Sequence, residues 1–103
     1  MKVYIVLESY DNGERWMDED DGYVGWDDKY MACYREFDDA WKYLCELIDN
    51  KRDWFEGIYN RHQDDCHKPC VTFFDSDHSA EVCLWYTCGK KQQYSVQIIE
   101  ENI

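Results

Sequence analysis

Three side chains able to ligate a soft metal stand four residues apart in this chain: His62, Cys66 and Cys70. On a helical stretch through 58–66, His62 and Cys66 share a face, and Pro69 then breaks the chain so that Cys70 can turn back towards them. Zinc takes four nitrogen or sulfur ligands in a tetrahedron, and imidazole and thiolate are its usual donors. Cys88 is the first choice for the fourth ligand, because it ends a predicted strand and precedes Gly89, which permits a tight turn. Cys83, His67 and His78 are the alternatives. The spacing is looser than a paired C-x-x-C, so a structural zinc competes with ordinary thiols and with a Cys66–Cys70 disulfide formed under oxidant. A catalytic metal needs an open coordination position and a nearby acid or base. Asp64 and Asp65 are close in sequence, but they also read as plain loop residues. The chain holds no G-x-S-x-G, no H-E-x-x-H and no phosphate-cradling glycine loop, so the expectation is a protein that is not an enzyme.

Charge is the second chemical signal. The 103 residues include 23 acidic and 11 basic side chains, a formal net charge of −12. Residues 8–28 alone hold nine acids and one base, so a net −8 lies in one-fifth of the chain. Asp11, Glu14, Asp18, Glu19, Asp20, Asp21, Asp27 and Asp28 form this segment, with Trp16, Tyr23 and Trp26 interleaved. Carboxylates in a row imitate the charges of a nucleic acid, about one per 1.7 Å of duplex axis. Tryptophans among them can anchor an interface or stack on arginine. A solvated loop would account for the acids as well, and the rings can equally fold back onto the core. Asp18, Asp20 and Gly22 imitate the start of a calcium-binding EF-hand, but the glutamate at the twelfth position is missing and the flanks are not helical. Asp39, Glu46, Asp49 and Asp53 form a second, helical set of acids. Direct nucleic-acid binding is disfavoured by repulsion from the phosphates, and no apolar run approaches the roughly 20 residues of a membrane span.

These groups need elements to hold them. Lys2–Ser9 is apolar on both faces, as in a central strand, and Asn12-Gly13 is a strong turn signal. A second strand is expected at 29–35. Phe37, Trp41, Leu44, Cys45, Ile48 and Phe55 then follow one helical face, predicting a helix over 38–57 that ends near Gly57. Asp38 or Asp39 is placed to cap its first turn. Strands follow at 70–75, 81–88 and 92–100, the last two presenting Val82, Leu84 and Tyr86, then Tyr94, Val96 and Ile98. The order β-β-α-β-β-β predicts a single acidic α+β domain over 1–103, its one long helix packed on a mainly antiparallel sheet. Cys33 and Cys45 read as core residues. Six cysteines without an export signal suit a reducing cytosol, and a start at Met1 argues for the same.

The run MKVYIVLESYDNGE at 1–14, followed by YREFDDAWKYL at 34–44, resembles the strand, strand and acidic-capped helix of small phage and mobile-element proteins. With the small size, the acidity and the Cys/His cluster added, the chain is similar to the anti-CRISPR proteins of phages, in particular to a metal-containing inhibitor of the type II-A effector Cas9. The resemblance implies a non-enzymatic inhibitor, acting in a bacterial host cytoplasm, that binds Cas9 and blocks target DNA loading or recognition. It would do so as a DNA mimic or by gripping a basic lobe. The physics agrees, since Cas9 holds its heteroduplex in a positively charged channel. Any basic nucleic-acid-binding protein would fit the same charge. The alternative is a zinc-stabilised regulatory module with a non-nuclease partner.

Overall fold

The computed structural model describes residues 1–14 and 24–103. The chain runs β1 (Lys2–Asp11), β2 (Gly25–Tyr34), α1 (Phe37–Arg61), β3 (Cys70–Phe74), β4 (Ser79–Trp85) and β5 (Lys91–Asn102), so the α+β class and the β-β-α-β-β-β order are as expected. All five strands form one antiparallel sheet in the order β2-β1-β5-β4-β3. The first and last strands are therefore neighbours at its centre, paired from Lys2 with Asn102 to Asp11 with Gln93.

Alternation along the strands sorts side chains onto two faces. Val6 and Tyr10 of β1, Tyr94, Val96 and Ile98 of β5, and Ala80, Val82 and Leu84 of β4 are buried on the face that α1 covers. The helix contributes Ala40, Leu44, Ile48 and Phe55, all fully buried, at the spacing of one stripe. Leu44, Ile48 and Phe55 each contribute about 1.5–3 kcal/mol when taken from water. Among the described residues no helix lies on the opposite face, which carries Ile5, Leu7, Cys33, Cys70 and Ile99.

Several expected boundaries move. The helix does not stop at Gly57 but runs to Arg61, because Ile58 and Tyr59 pack against the core and their burial outweighs the roughly 1 kcal/mol a helical glycine costs. Its N-cap is Glu36, with no side-chain capping bond, so Asp38 and Asp39 favour the first turn through the helix dipole rather than by capping it. β2 starts at Gly25, which brings Trp26, Asp27 and Asp28 into the sheet. Cys33 is exposed rather than in the core, because β2 is an edge strand and Cys33 pairs with Ile5 on the open face. Cys45 is half-buried beside the core. No helix of the described residues is long and apolar enough to cross a membrane.

Candidate functional site

The turn that follows β1 is held by its own side chains. Asp11 Oδ1 accepts the Gly13 N–H at 2.7 Å, and Asn12 Oδ1 accepts the Glu14 N–H at 3.1 Å. Gly13 has φ of 84°, and a β-carbon there would come within 2.5 Å of the Lys91 carbonyl oxygen. The turn thus sits hard against the start of β5. Glu14 reaches the same place: its Oε1 lies 2.7 Å from Lys90 Nζ, and this bond raises the lysine pKa above its ordinary value. Asn12 N–H donates to Val24 O at 3.0 Å, which closes the neck of the β1–β2 connection. Asp11 and Glu14 accordingly turn towards their own chain. Asp27 and Asp28 are exposed. Asp28 has φ of 50° and donates its N–H to Ser9 Oγ at 2.9 Å, next to a register shift between Glu8 and Tyr10. Trp16, Asp18, Glu19, Asp20 and Asp21 lie outside the described residues.

Trp26 does not stand out as an anchor. It pairs with Tyr10 across the β1–β2 ladder, with ring centroids 5.1 Å apart, and packs against the core. Its indole nitrogen is buried and has no hydrogen-bond partner among the described residues.

The helical acids form the better-defined surface. Asp39, Glu46, Asp49 and Asp53 are all exposed on α1. Positions 39, 46 and 53 are seven apart, and 49 is three beyond 46, so the four share the face opposite Leu44, Ile48 and Phe55. At 1.5 Å per residue the row is about 21 Å long. Asp49 has Arg52 Nη2 at 3.7 Å, and both side chains are solvated.

The Cys/His residues separate into two groups. His62 follows the helix, and its carbonyl accepts the Cys66 thiol at 3.2 Å. Cys66 is buried in the helix-side core, bridged to Tyr86, and burial pushes its thiol pKa up, with Asp65 adding to the effect. His62, Asp65 and Cys88 line one open cavity of about 430 Å³. Cys70 belongs elsewhere: it pairs with Cys83 on the open face of the sheet. Burial, then Glu81, push the Cys83 thiol up to about 11, against a smaller opposing effect of Lys91. The sheet thus stands between Cys70 and Cys66. Among the described residues, no three His, Cys, Asp or Glu side chains are grouped to hold a metal ion. The set His62, Cys66, Cys70 and Cys88 does not come together as zinc would require.

A further cluster escaped the sequence reading. Glu8 is the one buried charged residue among those described, and its Oε2 accepts the Tyr94 hydroxyl at 2.5 Å. Burial, then this bond, drive the Tyr94 pKa far up. Lys51 lies on the core side of α1, its ammonium 4.6 Å from the Trp54 ring centroid, 4.9 Å from that of Tyr94 and 5.2 Å from that of Tyr10. Burial lowers its pKa, and the Glu8 charge works against that. Tyr10 donates to Gln92, which donates to Tyr86. A signal was available: Lys51 is seven residues after Leu44 and three after Ile48, so a cation on that stripe had to find partners.

No protein-family model, curated protein or solved structure matches the chain.

Proposed function

We propose that this protein is a non-enzymatic inhibitor that presents carboxylates to a basic nucleic-acid-binding protein, with Cas9 as the partner that the resemblance names. The observation that carries the proposal is the row of Asp39, Glu46, Asp49 and Asp53, which a 25-residue helix holds outward along one side of the domain. A rigid element fixes the spacing of the charges without ordering a loop on binding, which lowers the entropic cost of docking. Asp27 and Asp28 add charge from the edge strand. A net charge of −12 steers the protein towards a positive channel and makes association sensitive to salt.

The test is target cleavage by a Cas9–guide complex, titrated with this protein before DNA is added and, separately, afterwards. Loss of cleavage near equimolar dose only in the first order is expected, because a protein in the DNA channel cannot displace a formed heteroduplex. Absence of inhibition in both orders, at large excess and across several Cas9 proteins, overturns Cas9 as the partner. The helical row is tested by the triple change Glu46→Lys, Asp49→Lys and Asp53→Lys. It should weaken inhibition at least about tenfold and flatten its salt dependence. Unchanged values would move the contact to the hairpin.

A further inference from the structure

Two of the six cysteines face each other across a strand pair. Cys70 opens β3 and pairs with Cys83 of β4. Paired residues of antiparallel strands project to the same face, with Cα atoms about 4.5 or 5.5 Å apart according to their place in the ladder. Either separation lies within the roughly 4.4–6.8 Å window of a disulfide. No other two cysteines are partners in the sheet: Cys33 faces Ile5, and Cys66 bridges to Tyr86. Both thiols of the pair are free, Cys70 exposed and Cys83 buried beneath the same face. β3 is an edge strand, hydrogen-bonded on one side, and Cys70 is its first residue, directly after Pro69. The end of an edge strand can make the small shift that closes two β-carbons to bonding distance, which a central strand resists.

We propose that Cys70 and Cys83 form a reversible cross-strand disulfide, with a small-molecule disulfide of the oxidised-glutathione class as co-substrate. The exposed Cys70 thiolate attacks one sulfur of the small disulfide. Its S–S bond breaks, and one half leaves as a thiolate with the electron pair. Cys83 then gives up its proton and attacks Cys70 Sγ in the mixed disulfide, and the second half leaves. Two protein thiols are oxidised to one disulfide, and the small disulfide is reduced to two thiols that carry away the two protons. Exposure sets the order, since of the two only Cys70 is reachable from solvent. The product ties the sheet's edge to β4 and encloses the turn through Asp75–Asp77, together with the exposed rings of Phe73 and Phe74. Cys70 is thereby a redox residue rather than a member of a zinc set.

The full chain with Cys33→Ser and Cys88→Ser, which removes the other exposed thiols, should lose two hydrogens in intact mass after treatment with oxidised glutathione and retain no glutathione; alkylation then fixes the remaining thiols for peptide mapping. Cleavage after Glu81 places the two cysteines in separate peptides. The peptides of Cys70 and Cys83 should run as one species that a reductant divides. With Cys70→Ser added, that species should vanish, and buried Cys83 should remain unmodified. A glutathione adduct that persists on Cys70, a link through Cys66, a linked dimer, a link surviving with Cys70→Ser, or no reaction would each overturn the proposal.

Discussion

Tyr94 keeps a buried carboxylate satisfied, and replacing it by phenylalanine would leave Glu8 without that donor. The expected cost of Tyr94→Phe is about 1–3 kcal/mol, read from the urea midpoint near neutral pH. The sign of the pH dependence also follows. The unfolded phenol ionises near pH 10, whereas the folded one holds its proton to higher pH. Its contribution is therefore complete below about pH 10 and fades as the pH rises beyond it. Tyr10, raised mainly by burial, acts in the same direction. Lys51 acts oppositely: with its pKa lowered, it favours the folded state progressively as the pH rises towards about 10.4. Wild type should lose stability above about pH 10, and Tyr94→Phe should lose less over the same range. Cys66→Ser offers a second check at this scale. It puts a hydroxyl in the apolar core, so the melting temperature should fall equally with added zinc and with chelator. A larger fall in zinc would restore a metal role for Cys66. The types of these residues were plain in the sequence, but their partners were not. Glu8, Lys51 and Tyr94 come from β1, α1 and β5, and only the pairing of distant strands brings them together.

Among the elements, the two turns at one end of the sheet act as a unit. Gly13→Ala places a β-carbon against the Lys91 carbonyl in a backbone region that alanine avoids, and should cost about 1–3 kcal/mol in thermal or urea unfolding. Glu14→Gln should cost about 1 kcal/mol, since the bond to Lys90 is only partly shielded from water. Its effect belongs to stability and should leave inhibition intact, whereas the triple helical reversal should do the reverse. Periodicity made the elements legible: the stripe of Leu44, Ile48 and Phe55 and the alternation of Tyr94, Val96 and Ile98 appear as expected. Periodicity failed where burial is one-sided. β2 lies at an edge, so its exposed Cys33 and half-buried Trp26 follow from its place in the sheet and not from its composition. The helix runs past Gly57 because the packing of Ile58 and Tyr59, which a local glycine signal does not carry, decides where it ends.

For the molecule as a whole, charge is the property the sequence states most directly and spatial order the one it states least. A net −12 on one small domain repels itself, so added salt should raise the melting temperature while it weakens partner binding. A fall in melting temperature with salt would mean that internal ion pairs outweigh that repulsion. The order β2-β1-β5-β4-β3 could not be read from local patterns, since hairpin signals join neighbours in sequence and say little of strands separated by a whole chain. The central β1–β5 ladder spans that full separation. It also sets a timetable. Until Lys91–Asn102 has been synthesised, β1 lacks one of its two neighbours and β4 lacks the strand that connects it to β1. The β1–β2 and β3–β4 pairs can form early as separate hairpins, but the sheet closes by a long-range search in which the loop-closure entropy comes due before the contacts form. Closure of the core thus waits for β5, and folding should be slow for so short a chain.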